Sequence, residues 1–215
     1  MATDNPARER ILERIRTGLR VPVPETPDAP IGAIFQPVEN PLERFQQEAK
    51  ANLMECLTGG DAVSVTQQLK NVLDSLPDGE IYVQDVSSLR RMIATTGSSR
   101  PVRWSNEGAP RESSQATITL VEALVAQTGS LFVTAACGGR GASVVAPCHI
   151  VVASASQLVP YLQTALGNAS KQGKLQQNSF ACLISGSSRT ADIEKILVQG
   201  AHGPRRLVVI LQTGA

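Results

Sequence analysis

The sequence predicts an α/β protein: a mostly parallel sheet flanked by helices. Hydrophobic residues make up 42% of the chain but aromatics only 3%, so the core must be built from Val, Ile, Leu and Ala, which suits strands buried on both faces. β-like runs alternate with helical patterns over most of the 215 residues, the arrangement of a sheet covered by helices. That length allows one sizeable core with an extension.

The order of elements follows from local pattern. Asn5-Pro6 is a helix start, and Ile11, Leu12, Ile15 and Leu19 then form one stripe among Arg and Glu. Six prolines follow (Pro22, Pro24, Pro27, Pro30, Pro37 and Pro41), a density that excludes regular ladders and implies an extended connector. Residues 1–41 are therefore expected to form a helical arm and linker, and 42–215 the α/β body. The arm either docks on a partner or lies loosely on its own body.

In the body, Leu42, Phe45, Ala49, Leu53 and Cys56 are spaced as one helix face. Ala62–Val65 and Ile81–Gln84 are strand-like, Gln67–Leu76 and Ser87–Thr95 helical. Residues 97–115 are polar and predict an exposed excursion in which Trp104 is a half-buried anchor. Strands are expected at Ala116–Leu120, Ser130–Ala135, His149–Ala153, Phe180–Ser185 and Leu207–Leu211.

Composition excludes several function classes. A net charge of +1, with both signs mixed, offers no electrostatic footprint for nucleic acid or a membrane surface. No apolar run approaches the ~20 residues of a membrane span, and the first residues lack an apolar signal core, so a cytoplasmic location is expected. Cys56, Cys137, Cys148 and Cys182 are scattered without a C-x-x-C pair, so neither a disulfide framework, a metal site nor a chain-borne iron–sulfur cluster is expected. Cys56 is placed on a helix and Cys182 on a strand, while Cys137 is left without a role. The nucleophile-elbow, Walker, zincin and dinucleotide-binding motifs are all missing.

Two stretches carry candidate chemistry. Ser185-Gly186-Ser187-Ser188-Arg189-Thr190 lies between a strand-like run and a helical pattern over Ala191–Gln199. A strand-to-helix turn offers unpaired N–H groups and a positive helix end to an anion, with Arg189 adding a planar cation. The plain alternative is a capped helix start, Ser188 or Thr190 being the N-cap. The carboxyl edge of the sheet would suit this turn. The second stretch, Cys137–Pro147, holds Gly138, Gly139 and Gly141 around Arg140. Its glycines permit close backbone approach to a ligand, or it is a surface loop with Arg140 solvated. With no helix in this connection, the strands on either side of it are expected to be antiparallel.

The candidate acid–base residues are weaker. Glu122 stands ahead of Thr128-Gly129 as a lone acid, a general base or a surface residue. His149 and Cys148 are strand neighbours and so point to opposite faces. Helix 191–199 would hold its ends roughly 13 Å apart, separating His202 from Arg189. His202, between Gly200 and Gly203-Pro204, is then either a turn-holding residue or a catalytic one.

The run SGSSRTADIEKILVQGAHGP, starting at Ser185, resembles the C-terminal signature of the lactate-utilisation (LUD) domain family, above all its lactate utilisation protein C members. Ala123-Leu-Val-Ala-Gln-Thr-Gly-Ser130 resembles the family's Ala-Ile-Ala-x-Thr-Gly-Thr segment, and Arg140, Ser143, Pro147 and His149-Ile-Val-Val its Arg…Ser…Pro…His stretch. Ser187 stands where the family shows Pro, and Ser130 where it shows Thr. The resemblance spans roughly residues 42–213 and implies a fold like that of sugar-phosphate isomerases and CoA transferases. It also implies a non-redox subunit or accessory protein of an L-lactate oxidation system, binding no cofactor itself and working with partner proteins that carry iron–sulfur clusters. The candidate ligand-binding positions are Thr128, Gly129, Arg140 and Ser185–Thr190. The residues alone leave open a stand-alone enzyme or binding protein for a small anion (a carboxylate, a phosphate or a CoA-type ligand). They also leave open whether the chain is catalytic.

Overall fold

In the computed structural model, the described residues are 6–20, 37–191, 197–199 and 203–214. The chain divides into two compact units, Met1–Pro37 and Val38–Ala215. The first contributes helix α1 (Pro6–Leu19), on which Ile11, Ile15 and Leu19 are exposed.

In the second unit, α2 (Pro41–Ala51) starts at Asn40, whose side chain accepts the Glu43 N–H, with Pro41 at the first helical position. It is shorter than the apolar spacing suggests. The Asn52 N–H closes on the Glu48 carbonyl and Leu53 adopts φ 57°, so Cys56 falls on strand β1 (Glu55–Gly59), not on the helix. Helix α3 (Ala62–Asp74) replaces the strand expected at 62–65. Asp61 accepts the Ser64 N–H while Ser64 accepts the Asp61 N–H, a reciprocal cap that turns an alternating Ala-Val-Ser-Val run into a first helical turn.

Next come β2 (Ile81–Val83), α4 (Ser87–Thr96) and β3 (Val102–Trp104). β3 is thus a strand inside the stretch expected to be a loop. Trp104 packs on the core, with the Arg90 guanidinium 4.2 Å from the ring centroid. After β4 (Ala116–Thr119), β5 (Ala123–Val125) and β6 (Ser130–Thr134), the chain reaches β7 (Cys148–Ser154), β8 (Leu158–Val159) and α5 (Leu162–Lys171). It ends with α6 (Lys174–Gln177), β9 (Ala181–Ile184), β10 (Arg189–Ala191), β11 (Leu197–Gln199) and β12 (Arg206–Gln212).

Six strands form the main sheet in the order β1-β12-β7-β4-β2-β3, every pair parallel. β7 and β12 are interior strands with both faces covered, and their sequences carry continuous apolar runs. One face packs on α3 and α4 through Ile150, Val208, Leu69 and Leu89. The other packs on Phe45 and Ala49 of α2 and on a second sheet, β8-β5-β6-β9, through Val151, Val209, Leu124 and Leu131. β6 and β7, which flank the glycine-rich loop, are therefore not paired antiparallel. They belong to different sheets, and the loop carries the chain from one layer to the other.

Candidate functional site

Two of the three signature stretches meet at one end of the second sheet. Ser130 Oγ lies 2.7 Å from Thr128 Oγ1 and 2.6 Å from Ser185 Oγ, a chain of three hydroxyls. Asn52 Nδ2 donates to the Thr128 carbonyl. Gly186 has φ 93°, and a Cβ there would stand 2.1 Å from the Asn52 carbonyl oxygen; Gly129 has φ 59° and would meet the Ala49 nitrogen at 2.6 Å. These glycines let two turns close on the end of α2.

Where the sequence predicts a helix over 191–199, the described residues at its two ends form strands instead. Arg189–Ala191 pairs antiparallel with Leu197–Gln199, so β-branched Thr190 and Val198 follow strand geometry over runs too short to fix a helical period. Among the described residues no helix end is available for an anion there, and Arg189 is exposed. The turn also lies at the amino edge of the main sheet, since the Ser188 N–H donates to the Pro204 carbonyl just before β12. Arg189 and Gln199, which a helix would hold apart, are register partners. His202 lies outside the described residues.

Arg140 does not join this cluster. It donates to Ser179 Oγ at 2.9 Å, beyond the Thr134–Ala181 end of the β6–β9 pair, whereas Ser185 lies beyond the Leu131–Ile184 end. About 20 Å of extended chain separates Ser179 from Ser185.

Around Arg140 the glycine-rich loop borders a cavity of about 390 Å3, lined by Tyr82, Ser105, Pro110, Gly138 and Arg140 among others. The loop is pinned from below. Tyr82 donates to the Gly138 carbonyl (2.7 Å), and Gln84 donates to the Ala136 carbonyl (2.8 Å) while accepting the Leu120 N–H (2.7 Å). Gly138 and Gly139 take φ 85° and 88° to make this path. Burial pushes the Tyr82 phenol pKa up, with the Arg103 charge opposing. Arg103 itself holds the far wall through the Ala109 and Glu107 carbonyls.

At the root of the loop, Glu122 becomes the centre of a polar cluster. Its Oε1 accepts from Thr134 Oγ1 (2.7 Å) and from Cys137 Sγ (3.8 Å), and its Oε2 from Lys174 Nζ (2.5 Å). Burial works to raise the carboxyl pKa, but the Lys174 and Thr134 hydrogen bonds, with the Lys174 charge, outweigh it and hold Glu122 below the ordinary value. Burial raises the Cys137 thiol to about 11, so it is protonated near neutrality. Tyr82, Gln84, Thr134 and Lys174 are additions that no local motif announced.

His149 is buried at 1% exposure, with Nε2 2.9 Å from Thr119 Oγ1 and Nδ1 without a hydrogen-bond partner among the described residues. Burial lowers its pKa to about 4, so the ring is neutral near neutral pH. This is a core histidine shielded from solvent. Among the described residues no three His, Cys, Asp or Glu side chains are grouped to hold a metal, and no helix is long and apolar enough to cross a membrane.

A six-stranded parallel sheet backed by a second sheet, with a glycine-rich loop crossing between them, defines an α/β domain with its polar clusters at the ends of the smaller sheet. The sequence model of the LUD domain matches residues 47–212, and the chain belongs to that family. Lactate utilization protein C of Exiguobacterium sp. is 27% identical over 186 residues, covering 80% of this chain and 78% of that protein. Lactate utilization protein C of Deinococcus radiodurans is 28% identical over 140 residues (59% and 64%), and lactate utilization protein C 1 of Bacillus mycoides is 39% identical over 75 (34% and 32%). The chain thus spans less than two thirds of the last two. A crystal structure of a DUF162 family protein from Deinococcus radiodurans shares the fold, with a TM-score of 0.58 at 16% identity over 80% of this chain and 95% of that one.

Proposed function

We propose that this protein serves lactate utilisation as a non-redox subunit or accessory protein in the cytoplasm, acting with partner proteins that carry iron–sulfur clusters and the oxidation of L-lactate to pyruvate. The observation that carries this reading is membership of the LUD family, together with relatives named lactate utilization protein C, one of them aligned over 80% of the chain. Side-chain chemistry supports the division of labour. Taking an electron pair from a 2-hydroxy acid requires a nicotinamide, flavin or metal group. The four cysteines are dispersed over the fold, not grouped as the ligands of a cluster are. Deleting the gene should abolish growth on L-lactate as sole carbon source, with growth on pyruvate retained. Normal growth on L-lactate in a strain lacking any other lactate dehydrogenase removes the reading.

A second reading, a stand-alone protein acting on a small anion such as a carboxylate, phosphate or CoA-type ligand, is favoured by the 390 Å3 cavity beside Arg140. Turnover of such an anion by the isolated chain would distinguish it.

A further inference from the structure

The Glu122–Lys174 pair also lines a second cavity, of about 150 Å3, between α5 and the second sheet. At about 30 Å3 per liquid water it holds the equivalent of roughly five waters, which suits a molecule of about six non-hydrogen atoms. Its floor is apolar and low because Ala123, Ala165 and Ala169 surround Phe132, where larger side chains would fill the space. Its mouth carries Asn168 and Gln172, four residues apart on one side of the end of α5.

The hydrogen-bonding capacity of the wall is only partly used. Lys174 has three donors and, among the described residues, one acceptor, Glu122. Glu122 Oε1 accepts two donors, whereas Oε2 accepts only Lys174 among the described residues and keeps room for another. The Asn168 and Gln172 side-chain amides bond to no described residue. An ammonium with spare protons beside a carboxylate oxygen with a spare lone pair matches a ligand of mirrored polarity.

We propose that this cavity binds a short-chain carboxylate bearing a hydrogen-bond donor on the adjoining carbon, a 2-hydroxy or 2-amino acid. The ligand carboxylate takes the remaining Lys174 protons and an amide N–H from the mouth, and the hydroxyl or ammonium donates to Glu122 Oε2. The Glu122 charge repels a bare carboxylate, so an acid without the adjoining donor meets repulsion with no compensating bond. The 2-hydroxy acid arm deepens the lactate-utilisation reading and rests on it; the site itself rests on the cavity and its wall.

The test is calorimetric titration of the full chain with L-lactate, L-alanine, pyruvate and propionate. L-lactate or L-alanine should bind, with pyruvate and propionate weaker by about tenfold, the worth of one charge-assisted hydrogen bond. Tighter lactate assigns a hydroxy acid and tighter alanine an amino acid. Lys174→Gln should weaken the tighter ligand by about tenfold or more, and Ala169→Leu should abolish binding by filling the floor. If Ala169→Leu does not fold, Lys174→Gln, at a side chain 34% exposed, still decides. Binding of neither acid at millimolar concentration, equal affinity for propionate, or wild-type affinity in Lys174→Gln overturns the site. A growth defect on L-lactate without binding would overturn this site alone, and binding without the defect would overturn the lactate role alone.

Discussion

Ser130 Oγ and Ser185 Oγ stand 2.6 Å apart although 55 residues separate them in the chain. The contact joins two signature stretches, and the glycine beside each serine presses its backbone on the end of α2. The arrangement there is a packing solution: small residues allow two turns and a helix end to share one point.

Substitution at that point should therefore be costly. Gly186→Ala adds a Cβ that collides with the Asn52 carbonyl and strains a φ of 93°, and should destabilise the fold by about 3 kcal/mol or more. Gly139→Ala, at a similar φ of 88° but with open space around it, should cost about 1 kcal/mol. Urea unfolding of the two variants measures the difference, and equal costs would show that the Asn52 contact does not constrain the turn.

Arg100 closes the end of α3. Its guanidinium donates to the carbonyls of Leu73, Leu76 and Pro77, and its side chain is only 11% exposed. Arg100→Ala leaves these acceptors without their charged donor, at a cost of about 2–4 kcal/mol. Arg100→Lys should recover only part of it, because an ammonium lacks the planar fork. Thermal unfolding of both variants checks the order.

Buried His149 sets a pH dependence. Its folded pKa of about 4 lies below the ordinary 6.5, so the unfolded chain takes up a proton that the folded chain refuses. The associated stability is complete above pH 6.5 and is lost as the pH falls through that value toward 4. Between pH 7 and pH 5 the loss should be about 2 kcal/mol. In His149→Gln this part of the dependence should vanish, which denaturant titration at the two pH values would reveal.

If the redox chemistry resides in partner proteins, the purified chain should be colourless and should not reduce a dye acceptor with L-lactate. Lactate-dependent dye reduction should appear when its iron–sulfur partners are added, and should fall when this chain is withheld. Dye reduction by this chain alone would refute the division of labour.

Much of the fold was legible because burial on both faces leaves a simple mark. The runs at 150–153 and 207–211 are continuous and apolar, as central parallel strands must be. Ala62–Val65 misled because alternation mimics a strand, while the decisive signal was Asp61 and Ser64 at capping distance. The stretch 189–199 misled because short runs fit either period, and at its described ends, 189–191 and 197–199, strand pairing with a partner decided. The site was less legible. Glycine-rich 138–141 and the Thr128-Gly129 turn were visible as unusual backbone, yet nothing local tied Glu122 to Lys174, 52 residues away.

By itself, then, the sequence determined the class of fold, the central strands and the family, since each is written in local composition, periodicity or contiguous motifs. The tertiary structure alone decided that Arg140 and Ser185 lie at opposite ends of one sheet and that Arg189 starts a strand. It also decided that Glu122 is a paired and partly buried acid. The reason is physical: hydrogen bonds and ion pairs between distant residues depend on how two sheets stack and where a loop crosses, and neither is encoded in any single segment.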